Sequence, residues 1–171
     1  MKSSTRGRVV MVSSEEHRLP KHRFDDSSQP AFGSAVEHGM GGAMERYADS
    51  KLALTTFAME LSERWKDKVT VYDMCPGPVA SGIARGTPVI GPAIVWAMDK
   101  VFPSKFEAAL PVLRLAFDPA FEFIAEGGGG EAHHHMAEPA RAAPFAMDTS
   151  HRKFVFEQTI ELLNKRSAVE P

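Results

Sequence analysis

A tyrosine and a lysine lie one helical turn apart in the run Tyr47-Ala-Asp-Ser-Lys51. At about 100° per residue, positions 47, 51, 54, 58, 61 and 65 fall within roughly 40° of one line along a helix. The other four positions are apolar, namely Leu54, Ala58, Leu61 and Trp65. We therefore predict an amphipathic helix over 43–66 whose buried stripe includes a phenol and an ammonium. Burying an unpaired ammonium is costly, so this helix needs a reason to carry Lys51 there.

Two strand-like runs flank the predicted helix. The first covers residues 8–13 and leads into Ser14, and the second covers Val69 to Met74 and leads into Pro76-Gly77. Both are rich in β-branched residues and other strand formers. The order of strand, helix and strand predicts an α/β fold. Open sheets of this kind bind ligands at the carboxyl ends of their strands, which is where these residues fall.

The pairing of Tyr47 with Lys51 suits acid–base chemistry on a carbonyl. A nearby ammonium favours a phenolate over a phenol, and residues at i and i+4 are neighbours on a helix surface. A serine hydroxyl at an adjacent strand end, here Ser14, could hold a substrate carbonyl against the phenol. Such a group can protonate a carbonyl and, in reverse, take a proton from an alcohol. The alternative is an exposed tyrosine beside a lysine that extends its ammonium into solvent.

The motifs GRVVMVSS, YADSKLA and CPGPVASGIAR, in this order, resemble the catalytic half of the short-chain dehydrogenase/reductase family. The resemblance implies a Rossmann-like fold and hydride transfer between NAD or NADP and a carbonyl or alcohol substrate. It also implies the site residues. Ser14 would be the catalytic serine, Tyr47 the general acid/base, and Lys51 the residue that favours the tyrosinate and binds the nicotinamide ribose. The cofactor-binding residues would be Tyr47, Lys51, Pro76, Gly77, Val79 and Ser81.

The chain departs from the family pattern in two ways. Ser14 and Tyr47 are 33 positions apart. The long polar segment between them resembles the retinol-dehydrogenase-like branch, which favours a lipophilic substrate, although carbonyl reductases also lengthen this region. In addition, only 13 residues precede Ser14, and they hold no Gly-rich turn for a dinucleotide. Neither 39–42 nor 127–130 replaces that turn. We therefore expect the N-terminal nucleotide-binding half to be absent, and tight cofactor binding by this chain alone is not expected.

The predicted organisation is a single partial domain over 1–171, with a doubly wound parallel sheet that lacks its first strands. Within it, 7–85 would form the catalytic core segment, 86–125 the substrate-lid helices, and 126–171 a C-terminal loop and helix. The strand at 8–13 is expected to be buried and to have an unpaired edge, which favours association. We further predict a polar loop over 15–42, Glu60 and Glu63 on the outer side of the long helix, and a closing helix over 154–165 with Phe156, Ile160 and Leu163 on one face.

Other features narrow the class of protein. The net charge of −2 gives no electrostatic case for nucleic acid. The one cysteine, Cys75, fits a reducing compartment, and we expect a small core residue there and not a reactive thiol. No stretch is long enough to span a membrane, so a cytoplasmic location is expected. For the run 133–135 we expect a solvated loop and no metal site, since consecutive histidines in a strand alternate in direction.

Three functions remain open. The first is an oxidoreductase of the family named above, acting on a small carbonyl or alcohol. The second is a non-catalytic truncated homologue that acts only through association with a full-length relative; homodimer formation is left open as a separate partner prediction. The third is an unrelated α/β binding module in which Tyr47 and Lys51 are paired by accident.

Overall fold

The computed structural model describes residues 7–19, 40–80, 96, 100–122 and 132–167. Two short 3₁₀ turns, Glu15–Arg18 and Pro119–Glu122, accompany eight longer or regular elements. In chain order these are β1 (Gly7–Val12), α1 (Met40–Arg64), β2 (Val69–Cys75), α2 (Lys105–Phe117), β3 (His133–His135), β4 (Glu138–Pro139), α3 (Pro144–Met147) and α4 (Thr149–Ser167). The predicted long helix, second strand and closing helix are all present, with shifted ends.

The four described strands form one sheet in the order β1-β2-β3-β4. β1 pairs in parallel with β2, in a register that sets Val12 beside Met74. β2 pairs in parallel with β3, and β4 turns back antiparallel to β3. This is the predicted α/β class, a partial Rossmann-like sheet. Because β1, β2 and β3 run in the same direction, their carboxyl ends lie side by side at one end of the sheet, which we call its carboxyl edge.

β1 is less buried than predicted. Its four central residues are half-buried and its two ends are exposed. Among the described strands it has one neighbour, β2, so its other edge is unpaired within that part of the chain. The expected unpaired edge is thus observed there, and it explains why a β-rich run fails to bury itself fully.

Side chains alternate between the two faces of the sheet, as the two-residue period of a strand requires. On one face, Val71 packs with Ala58 and Leu61 of α1, and Val9 and Met11 join them. On the opposite face, Tyr72 and Met74 pack with Leu115 of α2 and with Phe121. The described sheet therefore lies between α1 with α4 on one side and α2 on the other.

The interface of α1 with α4 corrects three predictions. Glu60, expected outside, is buried with its carboxylate 2.8 Å from Arg64 Nε and 3.7 Å from Arg152 Nε. Trp65, expected inside, is 43% exposed because α1 ends at Arg64. For the closing helix, the predicted face of Phe156, Ile160 and Leu163 is only partly correct. Phe156 packs inward and stacks on Phe57, at 5.2 Å between ring centroids. Ile160 and Leu163, further along α4, are exposed.

The histidine run corrects a fourth prediction. His133–His135 is not a solvated loop but the third strand of the sheet, and His133 and His134 are fully buried. The polar loop expected over 15–42 is also only partly right, since it opens with a 3₁₀ turn and α1 already begins at Met40. Residues 20–39 lie outside the described part.

The lid segment predicted over 86–125 is described only in part. Its one described long helix, α2, starts at a capping box: Ser104 Oγ accepts the Glu107 N–H, and the Glu107 carboxylate accepts the Ser104 N–H at 2.8 Å. Arg8 of β1 holds the other end of α2 by donating to the carbonyls of Leu115 and Asp118. None of the helices the structure describes is both long and apolar enough to cross a membrane.

Candidate functional site

The two serines after β1 take different roles. Ser13 continues the sheet by donating its N–H to the Met74 carbonyl at 2.7 Å, and its buried hydroxyl lies 2.6 Å from Thr55 Oγ1 of α1. Ser14 is also extended, with φ −159° and ψ 155°, so its side chain points the other way. Its hydroxyl donates to the Glu16 carboxylate. The Ser13 hydroxyl is thus buried in the core, whereas the Ser14 hydroxyl lies at the carboxyl end of β1.

His17 fixes the backbone at Ser14. Its ring is fully buried, Nε2 accepts the Ala143 N–H at 3.1 Å, and Nδ1 lies 2.6 Å from the Ser14 carbonyl. Since Nε2 is the acceptor, the proton is on Nδ1 and the ring is neutral. Burial lowers the pKa of His17 and so favours this neutral form. His17 is not among the predicted site residues, because nothing in its sequence spacing indicates a distant partner such as Ala143.

Lys51 reaches the end of β1. Its ammonium donates to the Val12 carbonyl at 2.9 Å and lies 5.6 Å from the centroid of the Tyr47 ring. Ser50, between them in sequence, donates its hydroxyl to the Tyr47 carbonyl at 2.7 Å. The helix pattern directs the Lys51 ammonium toward the apolar side, and there it is paired with a backbone carbonyl. That carbonyl belongs to Val12, the residue just before Ser13 and Ser14.

The residues after β2 lie at the neighbouring strand end. Gly77 has φ +73°, a left-handed conformation that favours glycine, and a Cβ there would come within 3.2 Å of Met136 Sδ. Pro76 and Val79 are half-buried beside it. Ser81, the remaining predicted cofactor residue, lies outside the described residues.

A cluster of titratable side chains lies at the same edge, on the α1 face. The register pairs Asp73 with His133 and Cys75 with His135, so all four point to one side. His133 Nδ1 lies 2.6 Å from Asp73 Oδ2, with both side chains fully buried. Glu15 Oε1 lies 3.7 Å from His133 Nε2 and 3.3 Å from His135 Nδ1.

Two pKa values in this cluster depart from their ordinary range. Burial raises the pKa of the Cys75 thiol. Burial alone would raise the pKa of Glu15 as well, but the hydrogen bond and charge of Arg18 outweigh it and lower that pKa. The Arg18 Nε lies 2.6 Å from Glu15 Oε2, which leaves Oε1 turned toward the two imidazoles.

The structure therefore brings Ser14 and Lys51 to the end of β1, with the Tyr47 ring beside Lys51, and Pro76-Gly77 to the end of β2. It adds polar residues that are not among the predicted site residues, namely Glu15, His17, Asp73 and His133. The available signal was the spacing of His133 and His135, which share one face of a strand. Their partners come from distant segments and could not be read from that spacing.

Comparison with known proteins gives distant relatives. The chain is 39% identical over 82 residues to dehydrogenase/reductase SDR family member 13 of Bos taurus, which is 47% of this chain and 20% of that protein. It is 32% identical over 124 residues to retinol dehydrogenase 12 of Bos taurus, covering 71% of this chain and 36% of the relative. Retinol dehydrogenase 12 of Mus musculus is 29% identical over 140 residues, or 81% of this chain and 35% of the relative.

These matches support a relationship to the short-chain dehydrogenase/reductase family. No family model matches the chain. The chain spans between a fifth and somewhat over a third of the length of these curated relatives.

Proposed function

We propose that this chain carries the catalytic segment of a short-chain dehydrogenase/reductase, for hydride transfer between NAD(P)(H) and a carbonyl or alcohol. The observation that supports it best is the position of Lys51, whose ammonium is held by the Val12 carbonyl beside the Tyr47 ring. A lysine placed there by chance would extend its charge into solvent. The named relatives support the same reaction class.

The residues at the two strand ends fit the nicotinamide end of such a cofactor. Because Gly77 is in the left-handed conformation and has no Cβ, its backbone can lie close to Met136, which an added Cβ would contact. Lys51 uses one N–H on Val12, and an ammonium has further donors that can reach a ribose hydroxyl. The Gly-rich turn that would bind the pyrophosphate has no counterpart in this sequence.

A bound nicotinamide supplies the hydride for carbonyl reduction and accepts it in alcohol oxidation. In the direction of reduction, the Tyr47 hydroxyl donates its proton to the substrate oxygen, and Lys51 stabilises the tyrosinate that remains. Ser14 positions the substrate oxygen through its hydroxyl. His17 holds the Ser14 backbone through its carbonyl, and the Ser14 hydroxyl must turn from the Glu16 carboxylate to donate to the substrate oxygen.

We further propose that the substrate is lipophilic, because two of the relatives are named retinol dehydrogenases. In this proposal the helices over 86–125 form the substrate lid, and Val79 and Ser81 complete the nicotinamide contacts.

The two tyrosines of the chain provide a matched test. Tyr47→Phe removes the proposed proton donor and should lower turnover by about 10²- to 10⁴-fold, the usual contribution of one acid–base group. Tyr72→Phe also removes one hydroxyl, but that hydroxyl donates to the Phe121 carbonyl in the core, away from the strand ends. It should cost stability and leave turnover in place.

The assay begins with binding of NADH and NADPH to the purified chain by calorimetry, followed by reduction of a panel of aliphatic and aromatic aldehydes. Equal turnover in Tyr47→Phe and the unmodified chain would refute the assigned role. Absence of both cofactor binding and turnover would favour the non-catalytic alternative, in which the chain acts by association.

A further inference from the structure

The polar cluster at the carboxyl edge of the sheet has a feature that hydrogen bonding does not explain. His133 is fully buried, and its Nε2 has no hydrogen-bond partner among the described residues. The same holds for the buried Nδ1 of His135 within that part of the chain. Buried polar atoms are nearly always paired, so two orphaned imidazole nitrogens facing one carboxylate indicate a missing group.

The separations fit a bound metal better than hydrogen bonds. Glu15 Oε1 is 3.3 Å from His135 Nδ1 and 3.7 Å from His133 Nε2, beyond the usual range of about 2.7–3.2 Å for N–H···O. In a tetrahedral zinc site, with ligand bonds of about 2.0–2.3 Å, neighbouring ligand atoms are roughly 3.3–3.8 Å apart. The Cys75 sulfur belongs to the same group, since the ligand atoms of Glu15, Cys75 and His135 all lie within 4.8 Å of one another.

The residues that hydrogen-bond to the proposed ligands are also arranged as they are around metal sites. Histidine ligands commonly pass their other ring N–H to a carboxylate, which fixes the ring and turns the lone pair toward the ion. His133 has this arrangement, with Nδ1 on Asp73 Oδ2 at 2.6 Å. With its proton on Nδ1, the Nε2 lone pair faces the Glu15 oxygen with no donor between them. Glu15 is likewise held, through Oε2, by Arg18.

We propose that Glu15, Cys75 and His135 bind a zinc ion, and that His133 Nε2, which lies 3.7 Å from Glu15 Oε1 but outside that group of three, moves in as the fourth ligand. The mixture of a thiolate, imidazoles and one carboxylate suits Zn²⁺ and not Mg²⁺ or Ca²⁺, which prefer oxygen ligands. His17, whose ring centroid lies 4.8 Å from that of His133, is not a ligand because Ser14 and Ala143 occupy both of its nitrogens. The ion would join the turn after β1 to the ends of β2 and β3.

The alternative is that the three successive histidines bind metal adventitiously, as a histidine run can, without a preorganised site. The strand separates these cases, since His134 points to the opposite face and packs edge-on against Tyr72, at 5.3 Å between ring centroids. His134→Phe keeps an aromatic ring in that surrounding and removes one histidine of the run. His135→Gln removes a ligand from a side chain that is 40% exposed, so the fold should tolerate it.

The test is a calorimetric titration of the full 171-residue chain, reduced and stripped with a chelator, against Zn²⁺. We expect one ion per chain, an affinity lowered at least about tenfold by His135→Gln, and an unchanged affinity in His134→Phe. Mg²⁺ should show no comparable binding. Circular dichroism without metal verifies that each variant is folded.

Cobalt identifies the sulfur ligand. Co²⁺ bound in place of Zn²⁺ should give thiolate-to-metal charge-transfer absorption, and Cys75→Ser should abolish it. The proposal is overturned if Zn²⁺ does not saturate at one ion per chain or if His135→Gln binds as tightly as the unmodified chain. Equal losses in His134→Phe and His135→Gln would also overturn it, because they would indicate adventitious binding to the histidine run. If Cys75→Ser does not fold, the comparison of the two histidine variants decides the question.

Discussion

The buried carboxylate of Glu60 gives the sharpest test of the fold, because the helix pattern places it outside and the structure places it inside. Its side chain is 5% exposed and has two arginine partners, Arg64 Nε at 2.8 Å and Arg152 Nε at 3.7 Å. Glu60→Gln keeps the size and polarity of the side chain and removes the charge. Any loss of stability therefore reports on the ion pairs and not on a cavity.

The size of the effect follows from the exposure of the partners. Two unit charges about 4 Å apart interact by about 4 kcal/mol at an effective dielectric constant of 20 and by about 1 kcal/mol in water. Arg64 is 39% exposed, so its interaction with Glu60 is near the lower figure. Arg152 is 13% exposed, so its interaction with Glu60 is less screened by water and lies above the lower figure. We expect Glu60→Gln to lower the free energy of unfolding by about 2 kcal/mol.

Glu63 provides the control on the same helix. It pairs with Lys66 at 3.2 Å, but the two side chains are 44% and 57% exposed, so Glu63→Gln should cost at most about 0.5 kcal/mol. Urea unfolding followed by circular dichroism gives both values, and a double-mutant cycle of Glu60→Gln with Arg152→Met isolates the pair across the helices. We expect a coupling of about 1 kcal/mol or more. Equal small losses in both glutamine variants would refute the observed packing of α4 on α1.

Two further substitutions test local geometry. Ser104→Ala removes the capping box shared with Glu107 and should lower the free energy of unfolding by about 1 kcal/mol, measured in urea; no change would mean that α2 does not begin there. Gly77→Ala places a Cβ at φ +73° and 3.2 Å from Met136 Sδ and should cost about 1–2 kcal/mol by the same measurement. Gly7→Ala is its control, since a Cβ there meets Val69 Cγ1 at an ordinary 3.4 Å, and equal losses at the two glycines would contradict the left-handed turn.

Local patterns were sufficient for the elements of the fold that carry their own periodicity. The run Val69 to Met74 is uniformly rich in strand formers, and β2 is observed at Val69–Cys75. Of the four apolar positions of the predicted stripe, Ala58 and Leu61 are buried, Leu54 is half-buried and Trp65 is exposed. These elements follow from side-chain period and composition, which act over a few residues.

The misplaced residues depend on partners far along the chain. Glu60 is buried because Arg152, 92 positions later, packs beside it, and no spacing within α1 reveals that. The histidine run, predicted as a solvated loop, forms β3 because its partners lie outside the run. In the structure, β2 offers backbone hydrogen bonds on one side, and Asp73 offers a carboxylate to the buried imidazole of His133. Tertiary context thus overrides local preference at both places.

One candidate catalytic residue and one proposed zinc ligand lie in the same short segment, which links the two sites. Ser14 and Glu15 are adjacent, and the turn Glu15–Arg18 is fixed from two sides, by His17 on the Ser14 carbonyl and by Arg18 on the Arg141 carbonyl. An ion bound at Glu15 would hold the same turn against β2 and β3, and a restrained turn would hold the Ser14 backbone. Zinc should therefore raise the thermal midpoint of the unmodified chain and, at the same concentration, raise that of His135→Gln by less, since a ligand that binds the folded state shifts the unfolding equilibrium by an amount that grows with its affinity.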